Sequence, residues 1–375
     1  MKHLIIAAIA VAVAVGAHAA HEEIMGPIVP KNSLQLYLDK AKAYTDSKVG
    51  GASADSEAAT AEQKERIDEL IQKINSLTAR LRVVESTYQQ KDGTVGIIAE
   101  PGQAVAVNSA ATDAYISGQV DQPATLLAKS VVLDNVDVAL TNMPSSGNGV
   151  MITSSSVELT GSELSGPTQK SSNLVKVTGA ETMVIKDTMF TGQTYNTIMT
   201  GQNTEAYLKE LTIENCDFNE DCKHINVWFA GFQDGATLTI KNCKFKTSEQ
   251  FLCIANFSGK TNKLNVVLEN VVIENFQNAD DQWKMYNGFI FCDDRACSSE
   301  EDFLESKPFA NVTITMTNVK AGGVQMTPET FKMGTATADQ MMYLYCTKSK
   351  NVYPFNDETK ALWPKITLDG VVINE

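Results

Sequence analysis

The chain has 375 residues, 43% of them hydrophobic and 20% charged, which is ample for a packed domain with an extended region besides. Its net charge of −14 argues against nucleic acid, polyphosphate or anionic lipid as the main partner. A glycan surface or another protein fits that charge more easily, and the acidity also serves plain solubility.

The first twenty residues, "MKHLIIAAIAVAVAVGAHAA", combine a basic start, an apolar run and an A-x-A site at Ala17 to Ala19. This is the pattern of a secretory signal, and the run is short for a membrane span. The alternative is a retained apolar segment buried in a larger assembly, which an odd number of cysteines supports. Residues 21–50 then read as a docking region. "MGPIVPKN" is an extended arm, and Ser33 caps a short helix with Leu34, Tyr37, Leu38, Ala41 and Tyr44 on one face.

A small-residue spacer over 51–60 separates this region from a coiled coil at 61–92. Ile67, Leu70, Ile74, Leu77, Leu81 and Val84 alternate at spacings of three and four, the a and d positions of a heptad repeat. Ile at a with Leu at d favours two strands. Against that, Arg80, Leu81, Val84 and Glu85 match the pattern of a known trimerisation motif, in which Arg and Glu pair between neighbouring helices; the expectation is a homotrimer.

Residues 93–130 form a β-rich transition, after which a repeat sets in. "LTIENCDF" at 211 returns as "LTIKNCKF" at 238, and the reduced pattern is apolar, any, Asn/Asp/Gly, any, any, apolar. It starts at Leu133, Leu159, Ile185, Ile213, Ile240 and Leu268, in steps of 26 to 28 residues, then at Met316 and Leu368 after steps of 48 and 52 that leave room for one degenerate or insertion-bearing copy each. A second apolar run follows each motif, among them "NLVKVTG", "HINVWFAG", "FLCIANF" and "FIFCDD". Both families are rich in β-branched and aromatic residues. Stacked coils bury a continuous apolar column that one coil cannot bury alone, and the Asn, Asp or Gly between strands tolerates the left-handed backbone of a corner. The predicted fold is all-β: a right-handed parallel β-helix over 131–375 with an insertion near 278–308, preceded by the coiled coil.

Of the seven cysteines, Cys216 and Cys243 share one motif position, and Cys253, Cys292 and Cys346 lie on the second strand family. Free thiols are expected, with Cys292 and Cys297 as the pair most open to bridging.

Chemistry is thinly signalled. Asp280, Asp281, Asp293 and Asp294 are the carboxylates a glycosidase-like pair would draw on, and Arg295 follows directly. On a strand, Asp293 and Asp294 would alternate faces and fail to converge, so they read first as a solvated loop. His224, the one histidine of the repeat region, reads as a surface or corner residue rather than a base. No Cys-x-x-Cys pair and no phosphate-binding glycine loop occurs, so neither a metal nor a cofactor is expected. Trp228, Phe232, Gln233, Asn256, Trp283, Tyr286 and Asn287 gather on or beside the second strand family. Rings and amides at a surface are what stacking and hydrogen bonding to sugars need, so these are the candidate ligand-binding residues, although alternation sends half of them into the core.

The stretches "TIENCDF", "FQDGATLTIKNCKF", "IANFSGKTNKLNVVLENVVIENF", "YLYC" and "WPKITLDGV" resemble the β-helix appendage proteins of tailed bacteriophages from gut bacteria, over roughly residues 130–375. That resemblance implies a virion fibre joined to a capsid or tail protein through its N-terminal region and presenting its body to a host-surface glycan. The signal-like N-terminus departs from the phage pattern. It keeps open an exported bacterial surface filament or adhesin subunit and, third, a secreted polysaccharide lyase or hydrolase.

Overall fold

A computed structural model describes residues 94–374 apart from 103, 142, 144–146, 168–171, 193, 202–206, 223, 248–249, 258–261, 275–288 and 335–340. The apolar start, the docking region, the spacer and the coiled coil, with Ile67, Leu70, Ile74, Leu77, Arg80, Leu81, Val84 and Glu85, lie outside the described residues. The chain divides into units Met1–Ile74 and Asn75–Glu375, and every described residue belongs to the second.

This unit is nearly all-β and built on one large, mostly parallel sheet. Register explains the repeat. Ile116, Leu133, Leu159, Ile185, Ile213, Ile240, Leu268, Met316 and Leu368 are successive Cα partners, each on the strand beside the last. All nine are buried in one continuous core. The second apolar position of the motif forms its own column, in which the Phe190 and Phe218 rings stack at 4.4 Å and those of Phe218 and Phe245 at 4.2 Å. The second strand family aligns Val150, Val175, Ile198, Val227, Leu252, Ile290 and Met342 in the same way.

Two features of the ladder differ from expectation. Leu268 pairs directly with Met316, and Met316 with Leu368, so the long steps conceal no degenerate copy. They hold insertions, and the one near 278–308 is not irregular throughout, since it contains strand Ile290–Asp294 and helix Glu300–Ser306. In addition, the ladder already runs through the supposed transition, because Ile97 pairs with Ile116 and Ile116 with Leu133. These rungs are shorter and lack the corner asparagine. Gly118 turns there instead at φ 91°, where a Cβ would stand 2.3 Å from the Ala99 carbonyl oxygen.

The third motif position is the corner. Asn135, Gly161, Asp187, Asn215, Asn242, Asn270, Asn318 and Gly370 all have positive φ. Four of the asparagines do a second job. Asn215 donates its side-chain amide to Asp187 Oδ1 (3.1 Å), Asn242 to Asn215 (3.1 Å), Asn270 to Asn242 (3.0 Å) and Asn318 to Asn270 (2.8 Å). A shorter ladder, half-buried at Asn148 and buried beyond it, opens the second strand family: Asn173 donates to Asn148 (2.9 Å), Asn196 to Asn173 (3.1 Å), and the Ile225 amide to Asn196 Oδ1 (3.3 Å).

Toward its C-terminal side the chain folds back antiparallel three times among the described residues, first at Lys320–Ala321 against Val324–Gln325. Asn351–Tyr353 runs antiparallel to Met342–Cys346, and Val371–Val372 antiparallel to Lys365–Leu368. All seven cysteines are free and buried. Cys292 and Cys297 are not bridged: Cys292 faces the main core from its strand, while Cys297 Sγ sits 3.3 Å from Ser306 Oγ.

Candidate functional site

Every residue of strands Asn196–Thr200, Ile225–Ala230, Gln250–Asn256, Ile290–Asp294 and Met342–Cys346 is buried. One face feeds the main core. The opposite face forms a second apolar cluster, in which Met199, Trp228, Cys253, Phe291 and Tyr343 are successive register partners. Strands buried on both faces read as near-continuous apolar runs, and "FLCIA" and "INVWFA", broken only by Asn226, are of that kind.

This corrects the expected sugar platform. Trp228, Phe232 and Asn256 are buried rather than displayed, with Phe232 stacked on Phe229 at 5.4 Å in the main core. Gln233 is half-buried and donates its Nε2 to the Tyr207 carbonyl (2.7 Å). Trp283, Tyr286 and Asn287, like Asp280 and Asp281, lie outside the described residues. Of the surface or corner positions expected for His224, the structure gives a corner: it is buried at the bend before strand Ile225–Ala230, with its ring 5.1 Å from that of Tyr195.

Asp293 and Asp294 are not a solvated loop. Both are fully buried at the end of strand Ile290–Asp294 and face opposite ways, as alternation requires. Asp293 is the register partner of Ala255 and Tyr345 in the second cluster, and Asp294 that of Asn256 and Cys346. The two are therefore no facing pair of the kind that flanks a glycosidic bond.

Their environments differ as well. Asp293 holds Arg295 through Oδ2 to Nε at 2.5 Å and accepts from Thr347 Oγ1 through Oδ1 at 2.7 Å. Burial pushes its pKa up, and the Arg295 charge, both hydrogen bonds and His224 pull it back only in part. Asp294 accepts from the Cys297 backbone N–H through Oδ2 (3.1 Å), while its buried Oδ1 has no hydrogen-bond partner. Burial raises its pKa too.

Arg295 links the carboxylate to the aromatics. Its guanidinium carbon lies 4.9 Å from the Trp228 ring centroid and 6.0 Å from that of Phe257, and its backbone N–H donates to the Asn256 carbonyl (2.9 Å). The sequence carried a signal for this contact that adjacency obscured: residues two apart in an extended chain share a face, so Asp293 and Arg295 belong together while Asp294 points away. The cluster can present a charge-balanced cation over apolar rings. Among the described residues, no group of three or more His, Cys, Asp or Glu side chains could hold a metal ion.

No family model, no curated protein and no solved structure matches the chain.

Proposed function

We propose that the chain is a structural virion fibre: a homotrimer anchored to a capsid or tail protein through residues 22–48, spaced by the coiled coil at 61–92, and presenting a right-handed parallel β-helix of 26–28 residues per coil to a host-surface glycan. The observation that carries this reading is the Asn215, Asn242, Asn270 and Asn318 ladder. Its amides pair from rung to rung along the stack instead of converging on a reacting centre, which suits a rigid bearing element. Three linked bodies would turn weak single contacts into avidity, the requirement of adhesion rather than turnover.

Two further observations favour it over the alternatives. Seven free, buried thiols fit assembly in a reducing compartment better than export. The opposed directions of Asp293 and Asp294 weigh against these two as the facing carboxylates of a lyase or hydrolase.

The test is the intact mass of the native assembly purified from its source, before and after denaturation. Three chains beginning at Met1, found with capsid proteins, is the expected result. Chains beginning near Ala20 or His21 in an open-ended polymer would overturn it in favour of the exported filament.

A further inference from the structure

We infer that Cys216 and Cys243 are an oxidation site, two thiols that a peroxide joins into a disulfide stapling neighbouring rungs of the stack. The inference does not depend on the attachment reading above.

Register brings this pair together. Glu214 pairs with Lys241 and Asp217 with Lys244, which sets Cys216 opposite Cys243 on adjacent parallel strands. Such strands lie ~4.8 Å apart, within the ~4.4–6.8 Å between Cα atoms that a disulfide spans. The Cys216 backbone N–H donates to Cys243 Sγ at 3.4 Å, so the sulfur of one residue already rests against the backbone of the other. Both thiols are buried, yet each directly follows an exposed corner asparagine, Asn215 or Asn242. A bulky reagent is kept out, whereas a molecule near the size of water needs only local opening of the corner, which sets a slow pace.

The preceding rungs separate what this position requires from what the thiols add. Ser162 Oγ donates to the Thr160 carbonyl (2.8 Å) and accepts the Val136 N–H (3.0 Å), and Thr188 Oγ1 donates to the Lys186 carbonyl (2.8 Å). Cys216 and Cys243 repeat that brace, with Sγ 3.2 Å from the Glu214 carbonyl oxygen and 3.0 Å from that of Lys241. Hydroxyls suffice for bracing. Thiols at two successive rungs add what hydroxyls lack, a bond to each other.

The reaction balances. A hydrogen bond from the Cys216 thiol, aided by the Cys216 N–H, holds the Cys243 thiol below its usual pKa against burial and makes it the first nucleophile. Its sulfur attacks one peroxide oxygen, the O–O bond breaks, and hydroxide leaves with the thiol proton as water, giving a sulfenic acid. The Cys216 sulfur then attacks Cys243 Sγ. The S–S bond forms, and the sulfenic hydroxyl departs with the Cys216 proton as a second water. Two thiols are oxidised and one peroxide is reduced.

The experiment treats the full-length native protein, purified under reductant and then freed of it, with hydrogen peroxide. The thiol count in denaturant should fall from seven to five, and peptide mass mapping without reductant should find Cys216 linked to Cys243. The thermal midpoint should rise by roughly 5 °C and return on treatment with dithiothreitol. Cys216→Ser and Cys243→Ser keep the brace that Ser162 displays and lose the bridge, so neither midpoint should rise with peroxide. A count that stays at seven, a link between other cysteines, or a sulfinic acid at Cys216 or Cys243 without a link overturns the site. Should either variant fail to fold, the wild-type map still decides.

Discussion

Asn242 donates its side-chain amide to Asn215 at 3.1 Å and accepts one from Asn270 at 3.0 Å, while its own backbone sits at φ 52°. One residue type thus satisfies two demands at each corner, a left-handed backbone and a link to the next rung. Asn242→Ala should therefore cost more than Asn242→Gly. Both lose the amide bonds, but only alanine pays ~1–2 kcal/mol for the left-handed conformation. Denaturant titration of the two variants checks this, and equal midpoints would refute the division of labour.

Phe218 stacks on both Phe190 and Phe245 and is fully buried. Phe218→Ala should destabilise the body by about 3–5 kcal/mol, whereas Phe218→Leu, which refills most of the volume, should cost much less. The same titration reads both.

Gly118→Ala is expected to destabilise by about 1–3 kcal/mol, through a strained backbone and a Cβ held 2.3 Å from the Ala99 oxygen. Gly235→Ala is the control. That glycine also has positive φ, 81°, but nothing lies within 4 Å of the Cβ position, so its cost should be conformational alone and smaller.

Asp294 sets a pH dependence whose sign follows from burial. Its folded pKa lies above its unfolded value, so the folded protein binds a proton more readily, and this group's contribution to stability falls as pH rises from the unfolded pKa through the folded one. Asp294→Asn removes the charge and keeps an oxygen for the Cys297 N–H. It should be more stable than the wild type at neutral pH, with the difference shrinking as pH drops into the carboxylate range. Thermal melts of both proteins from pH 4 to 8 decide it, and a gap that widens on acidification would overturn the assignment.

The thiols give a chemical check. All seven are free and buried, and desolvation pushes Cys297 up to about 12. A thiol reagent should count none in the native protein within the time that exposes seven in denaturant. A native protein that yields only five on denaturation would restore the bridge between Cys292 and Cys297.

The sequence announced the ladder because stacking repeats one set of demands. Leu133, Leu159, Ile185 and their successors fill the same column, and asparagine or glycine recurs at each corner for one conformational reason. Gly118 was illegible because the earliest rungs turn without that asparagine and at shorter spacing. Trp228 was misplaced for a different reason. Alternation says which side of a strand a residue occupies, but it cannot say that both sides are covered. Arg295 was hidden by proximity, since its neighbour Asp294 lies on the wrong face and its true partner, Asp293, is two residues back. The amides of Asn148, Asn173 and Asn196 were also present in the sequence, each two residues before an aligned aliphatic, and only the register shows that they meet.

The reversed strands Asn351–Tyr353 and Val371–Val372 close off part of the parallel stack. A parallel strand with an unfilled edge is a template, and an identical molecule arriving end-on would offer the matching one. Here the edges of Leu344–Cys346 and Thr367–Leu368 are taken by the chain's own return strands, so a like body adding a parallel rung would find those stretches occupied. At those positions the stack presents an antiparallel edge in place of the parallel one that a further rung would extend.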